Sequence, residues 1–218
     1  MNVRNLLLIA LTFASGAVDA TSYLGLGRVF TANMTGNFVL FGLGVARVQG
    51  LEVLRSGMAF VGYVAGVAVS ARVLGRGGAK DVWAARVTVV LALETAMLGA
   101  LTAGWLATGA APVRPWLEVL IVCSGMAMGM QSSAAQRLAV PSVSTTYVTG
   151  TLTSAVTELA LFGHPTSGWP LRACVVLSLG VGAGIEAVIL LHVALLAPFL
   201  PLLVLAAITA TAARRFPG

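Results

Sequence analysis

Eight apolar segments dominate this sequence, and their lengths restrict the folds open to it. They run approximately over 6–26, 29–46, 57–74, 82–108, 116–136, 143–162, 172–192 and 194–213. A helix that spans a membrane needs about 20 predominantly apolar residues. With 218 residues, 58% of them hydrophobic and 9% charged, the chain has no room for a separate soluble domain. The sequence therefore predicts an all-α, polytopic helical membrane protein that contacts the lipid bilayer.

Two of the eight segments differ from ordinary spans because polar residues occupy every second position at their start. In 29–46 and 143–162 these are Thr31, Asn33, Thr35 and Asn37, then Thr145, Tyr147, Thr149, Thr151 and Thr153. Polar groups at that density are costly in lipid. One interpretation is a pair of spanning helices whose polar stripes face protein. The other is a broken or re-entrant segment, since Gly36 and Gly150 follow the central Thr residues and irregular backbone is tolerated where it lines a cavity.

These segments belong to an internal repeat. Ser15-Gly16 precedes Thr31-Ala-Asn-Met-Thr35-Gly36-Asn37, and Ser124-Gly125 precedes Thr145-Thr-Tyr-Val-Thr149-Gly150-Thr151. Each half continues with glycines four residues apart, Gly62 and Gly66 in one and Gly180 and Gly184 in the other, which predicts close helix packing. We therefore expect two membrane repeats, 1–109 and 110–218.

Loop charge predicts the topology. Eight spans with the N-terminus inside would place seven Lys or Arg residues in the cytoplasm and six outside, whereas six spans place nine inside and four outside. Six spans give three per repeat, an odd number, so the repeats would be inverted, each with one re-entrant or broken helix. We expect both termini and the 75–81 loop in the cytoplasm and Arg114 outside. Arg4 and the following apolar run also resemble a signal peptide, but the run continues to about Leu26, so we expect it to be retained.

Several motifs together resemble the YoaK-like family of bacterial membrane proteins, whose domain has no known function. They are Gly16-Ala-Val-Asp19-Ala-Thr-Ser-Tyr23, Val29-Phe30-Thr-Ala-Asn33-Met-Thr35-Gly36-Asn37, Gly129-Met-Gln131 and Thr145-Thr-Tyr147-Val-Thr149-Gly150-Thr151. After Gln131 the resemblance would call for Asn, and this chain has Ser132. The resemblance implies an integral protein of the bacterial inner membrane and supplies no substrate.

Two carboxylates are expected at membrane depth. Asp19 lies about 13 residues into the first span, roughly 20 Å along a helix, and Glu186 lies at a similar depth in the seventh segment. An intramembrane carboxylate is a candidate ion ligand or proton carrier, and two at one depth could share a proton. The alternative for Asp19 is a side chain held by hydrogen bonds that only fix packing.

Neutral polar residues complete the predicted site. We expect the two Thr-Gly motifs to face each other across a polar cavity near the bilayer midplane, which suits a small polar solute or a dehydrated cation. The alternative is that these side chains join helices by hydrogen bonds. The predicted substrate-binding residues are Asp19, Tyr23, Asn33, Thr35, Asn37, Gln131, Tyr147, Thr149, Thr151 and Glu186.

The pattern favours a small transporter or channel with its pathway between the repeats, and six spans around a pathway favour a homodimer. The alternative is a non-catalytic packing or regulatory subunit of a larger complex. We expect no enzyme, cofactor or metal site, because the chain has two His and no catalytic or metal-binding motif, and Cys123 and Cys174 lie in apolar runs. The net charge of +6 is expected to mark cytoplasmic loops and not a nucleic-acid partner.

Overall fold

The computed structural model describes residues 2–48, 50–75, 83–138, 145–146, 148–165 and 168–216. Within these ranges the chain forms eight α-helices, with a short 3₁₀ turn, Ala194–Leu196, before the last. They are α1 Val3–Gly25, α2 Met34–Ala46, α3 Gly50–Leu74, α4 Ala85–Ala107, α5 Trp116–Arg137, α6 Thr149–Phe162, α7 Trp169–His192 and α8 Phe199–Arg215.

Six of these elements are long and apolar enough to cross a membrane: α1, α3, α4, α5, α7, and α8 with its preceding turn. Helices α2 and α6 have 13 and 14 residues. At 1.5 Å per residue they measure about 20 Å, short of a hydrocarbon core of about 30 Å. The predicted all-α, multi-pass membrane fold is confirmed.

The two unusual segments begin with irregular backbone. Thr31 and Asn33 precede α2, and Thr145 precedes α6, so a continuous helix with a polar stripe is wrong for these residues. Asn33 explains where α2 begins, because its side chain accepts a hydrogen bond from the Gly36 N–H at 3.3 Å and so caps the helix.

The first of these segments turns back into the helical bundle. Thr31, six residues beyond the end of α1, hydrogen bonds to Ser22 in the last turn of that helix. Helix α2 then returns antiparallel to α3, with Phe38 against Phe60 and Gly44 against Val53. The segment therefore enters and leaves at the same end of the bundle.

Glycines allow two parallel helix pairs to approach closely. In α3, Gly62 and Gly66 lie against the Val122 and Met126 carbonyls of α5, as the Gly-x-x-x-Gly spacing predicts. In α7 the matching prediction is wrong. A Cβ at Gly180 or Gly184 would meet open space. Gly182 is the residue that packs on α1, because it lies on the face that α7 turns toward that helix.

Two antiparallel pairs fix the order of crossings. Gln131 bonds to Leu11 while Ser22 meets Ser124, so α1 and α5 run in opposite directions. Helices α4 and α8 are also antiparallel, with Thr95 beside Thr209 and Thr102 beside Pro198. Eight alternating crossings would make both pairs parallel, so the directions favour six. The inverted repeat and its boundaries at 109 and 110 stay predictions.

Candidate solute cavity

A cavity of about 310 Å³ lies where α1, α7 and the starts of the two short helices meet. Its lining includes three predicted site residues, Asp19, Asn33 and Thr149, which come from three separate parts of the chain. The remaining lining residues are Gly16, Phe30, Thr146, Val148, Leu179 and Ala183. The polar groups of the cavity are thus gathered from both halves of the sequence.

Asp19 holds the first irregular segment in place. Its Oδ1 accepts hydrogen bonds from the backbone N–H groups of Thr31 and Ala32, both at 2.8 Å, and its Oδ2 accepts one from Asn33 at 3.2 Å. These three N–H groups precede α2 and have no helical partner of their own. The carboxylate therefore anchors the segment and lines the cavity at once.

Both short helices begin at this cavity. Asn33 is the N-cap of α2, and Thr149 is the first residue of α6. A helix N-terminus carries a partial positive charge and unpaired N–H groups. The cavity therefore combines one carboxylate with hydroxyl and amide groups and two helix N-termini, a set that can hold a polar or ionic group of either sign.

Three predicted residues of the first half lie away from the cavity. Asn37 is buried, and its amide bonds to the backbone of Phe30 as both donor and acceptor, so it shapes the turn before α2. Thr35 is exposed on α2. Tyr23 stacks on Phe30 with ring centroids 4.9 Å apart, and so backs a residue of the cavity wall.

Glu186 lies on the α1–α7 contact. It is fully buried, and its Oε1 accepts a hydrogen bond from the Thr21 hydroxyl, whereas Oε2 has no hydrogen-bond partner. Thr21 is two residues from Asp19, so the two carboxylates share a depth as predicted. No hydrogen bond joins them in the part of the chain that the structure describes.

The remaining predicted residues belong to the second half. Gln131 is fully buried in α5; its Nε2 donates to the Leu11 carbonyl at 3.0 Å, and its Oε1 has no partner. Thr151 is buried in α6. Tyr147 and most of the 75–81 loop lie outside the described residues.

One polar cluster and one buried carboxylate lie outside the predicted site. The hydroxyl groups of Ser22, Thr31 and Ser124 form hydrogen bonds of 2.8 to 3.2 Å. They link the irregular segment before α2, which we call the first tip, to α1 and α5; the segment before α6 is the second tip. Ser124 stood in the repeat motif, but nothing in the spacing indicated its partners. Glu94 of α4 is fully buried, with both carboxylate oxygens lacking a hydrogen-bond partner.

Comparisons with known proteins agree with this fold. Residues 7–211 match a family described as proteins of unknown function, DUF1275. The chain is also 36% identical, over 157 residues, to the UPF0700 transmembrane protein YoaK of Bacillus subtilis (strain 168), which covers 72% of this chain and 68% of that protein. No solved structure matches the chain.

Proposed function

We propose that this chain, which belongs to the DUF1275 family, moves a small polar solute or ion across the bacterial inner membrane through the cavity around Asp19. The observation that carries the proposal is the shared lining: Asp19, Asn33 and Thr149 face one space although they come from α1 and both short helices. A subunit that only packs against partners needs no such space. We propose transport without catalysis.

The cavity suits a small solute in size and chemistry. Its volume of about 310 Å³ lies at the low end of the about 300–1,000 Å³ typical of ligand pockets. Broken helices whose N-termini meet at a site are a recurrent way to bind charged groups in transporters. Asp19, Asn33, Thr146 and Thr149 supply the polar contacts, and Phe30 and Leu179 supply apolar walls.

We propose further that the halves are inverted repeats related by packing. Gly16 of α1 lies against Leu179 of α7, and Gly125 of α5 lies against Ala59 of α3. Gly125 follows Gly16 by 109 residues, and Leu179 follows Ala59 by 120. The two contacts are therefore equivalent if each residue of α1 corresponds to the residue 109 positions later in α5, and each residue of α3 to the residue 120 positions later in α7.

A second contact obeys the same offsets. Gly62 packs on Val122, and Gly182 packs on Phe13, again 120 and 109 residues apart. Because α1 and α5 are antiparallel, such a relation reverses direction between the halves, as an inverted repeat requires. Glu186 then stands 120 residues after Gly66, so the second half has a carboxylate where the first has a packing glycine.

Cysteine labelling tests the proposed pathway. In a background with Cys123→Ala and Cys174→Ala, we expect Asn33→Cys and Thr149→Cys to react with a small water-soluble thiol reagent. Val181→Cys, on an exposed face of α7, is the control and should stay unreactive in a bilayer. If neither cavity position reacts from either side while the variants remain folded, the cavity is closed to solutes and the packing-subunit alternative is preferred.

Sided labelling tests the proposed orientation, with both termini in the cytoplasm. In the same background, Asn2→Cys should react with an impermeant reagent only in inverted vesicles. Val113 precedes Arg114 and is 70% exposed. Val113→Cys should react only from the periplasmic side of intact cells. The opposite pattern would reverse the orientation, and labelling of both positions from one side would contradict an odd number of spans between them.

A further inference from the structure

Two cavities adjoin at Ser56, near the end of the bundle where α1 ends and α3 begins. One has a volume of about 250 Å³ and is lined by Asn37, Phe38, Phe41, Ser56, Gly57 and Phe60. The other, of about 160 Å³, includes Arg28, Arg47, Glu52 and Ser56 in its lining. Neither belongs to the solute cavity around Asp19, although the predicted site residues Asn37 and Tyr23 line one each, and together they form one amphipathic recess between α2 and α3.

The first part of the recess is apolar and aromatic. Phe38 and Phe60 meet edge to face with centroids 5.0 Å apart, and the Phe41 ring lies 4.0 Å from where a Cβ on Gly57 would be. Phe38 is 59% exposed, Phe41 40% and Phe60 39%. In a membrane this exposed side of α2 and α3 meets lipid chains, so an alkyl chain can enter from the bilayer.

The second part of the recess is basic. It contains two guanidinium groups, Arg28 and Arg47, and one carboxylate, Glu52, so its net charge is positive. Arg55 adds a third guanidinium against the wall residue Gly27. Neither Arg28 nor Arg47 forms an ion pair with another residue in the described ranges. Guanidinium groups bind phosphate oxygens by paired hydrogen bonds.

We propose that this recess binds one anionic phospholipid, with the phosphate at Arg28 and Arg47 and one acyl chain among Phe38, Phe41 and Phe60. The orientation follows from α2, which begins at Met34, two residues after the buried Ala32, and runs to the end of the bundle at Ala46. Phe38 therefore lies deeper than Arg47, as the chain of a bilayer lipid lies deeper than its headgroup. The proposal does not depend on the transport function.

A free phosphate ion is a poorer occupant than a lipid, because it would leave the aromatic part empty. A neutral alkyl chain is also poorer, because it would leave Arg28 and Arg47 unused. Only a molecule with both parts fills a recess whose apolar and basic cavities share Ser56.

Native mass spectrometry of the detergent-purified protein tests the headgroup contact. We expect phosphatidylglycerol to bind more tightly than phosphatidylcholine of the same chains, and Arg28→Gln and Arg47→Gln each to weaken phosphatidylglycerol binding roughly fivefold. Arg72→Gln, an exposed residue near the end of α3 far from the recess, is the matched control and should change nothing. Unchanged binding in both variants overturns the proposal, and competition by inorganic phosphate alone would indicate a simple anion site and overturn it as well.

Filling the apolar part gives an independent test. Gly57→Leu places a side chain in the aromatic cavity, where a Cβ has room, and should abolish retention of phosphatidylglycerol. Gly42→Leu on α2 is the control, because a Cβ there meets open space and Gly42 does not line the recess. If the folded Gly57→Leu protein still binds phosphatidylglycerol as tightly as the control, no acyl chain occupies the cavity. Each test stands if the variants of the other fail to fold.

Discussion

The two irregular segments carry similar motifs, yet side chains hold them in different ways. The first, between α1 and α2, has a hydroxyl contact at Thr31 and is held in addition by ionic and amide groups: Asp19 accepts three backbone hydrogen bonds, and Asn37 closes the turn at Phe30. Asn33 then caps α2. These contacts of Asp19, Asn33 and Asn37 are all to the backbone, so they fix the path of the chain.

The second segment, as far as the structure describes it, is held by hydroxyl groups. Ser132 accepts a hydrogen bond from the Tyr63 phenol at 2.7 Å and pairs with Thr146 at 2.8 Å. Helix α6 begins at Thr149, and its N-cap residue, Val148, provides no side-chain cap. Away from the tip, Glu158 of α6 pairs with Arg172 of α7.

The difference shows that a shared Thr-Gly motif does not imply shared support. Hydrogen bonds to a charged group contribute about 1.5–3 kcal/mol each, and bonds between neutral groups about 0.5–1.5 kcal/mol. The first tip is therefore the more strongly fixed wall of the cavity. If one wall moves during transport, the comparison favours the second, where Thr149 stands on an uncapped helix.

Removing the carboxylate of Asp19 should have the largest effect. Asp19→Ala leaves three backbone N–H groups without an acceptor, and we expect a loss of about 3–5 kcal/mol in stability. Asp19→Asn keeps one oxygen as acceptor for Thr31 and Ala32 but turns its N–H₂ donor toward the N–H donor of Asn33, so its loss should be roughly 1–3 kcal/mol. Thermal unfolding in detergent, followed by size-exclusion chromatography, measures both.

The same two variants distinguish anchoring from proton transfer at Asp19. If the side chain only anchors the tip, the folded Asp19→Asn protein should keep any solute pathway. If it carries a proton, this variant should lose proton-coupled uptake at normal protein levels. If Asp19→Ala is as stable as the native chain, Asp19 does not hold the first irregular segment, and the contrast between the two segments fails.

A smaller loss is expected from a methyl group at Gly182. Its Cβ would collide with the Phe13 carbonyl in the α1–α7 contact, whereas Gly180→Ala, the matched control two residues away, meets open space. We expect Gly182→Ala to cost about 1–3 kcal/mol and Gly180→Ala to be nearly neutral. If Gly180→Ala is instead the less stable variant in thermal unfolding, Gly180 and Gly184 form the packing motif. The proposed correspondence between the two halves, which uses the Gly182 contact, then fails.

Gly182 shows which features of the fold the sequence does not predict. Hydropathy predicts the six spans, the alternation of polar residues marks both broken segments and the cavity residues Asn33 and Thr149, and its depth in the first span marks Asp19, because all three patterns are local. Gly180, Gly182 and Gly184 are equally spaced in sequence, and only the rotation of α7 against α1 selects one. Asn37 resembles Asn33 in type and motif, but it turns to the Phe30 backbone, a contact set by the fold of the tip.

The smallest effect is expected at Ser132, where the family resemblance would call for Asn. The serine hydroxyl joins Tyr63 to Thr146 across α3, α5 and the second tip. Ser132→Ala breaks both bonds and should cost about 1–2 kcal/mol, since the partners lose a neutral contact in a partly buried site. An amide can both donate and accept, so Ser132→Asn can rebuild the bridge and should change stability by less than about 1 kcal/mol. Thermal unfolding of the two variants side by side measures this; a loss for Ser132→Asn as large as for Asp19→Ala would mean that the second tip is held as firmly as the first, and the contrast between the two walls would fail.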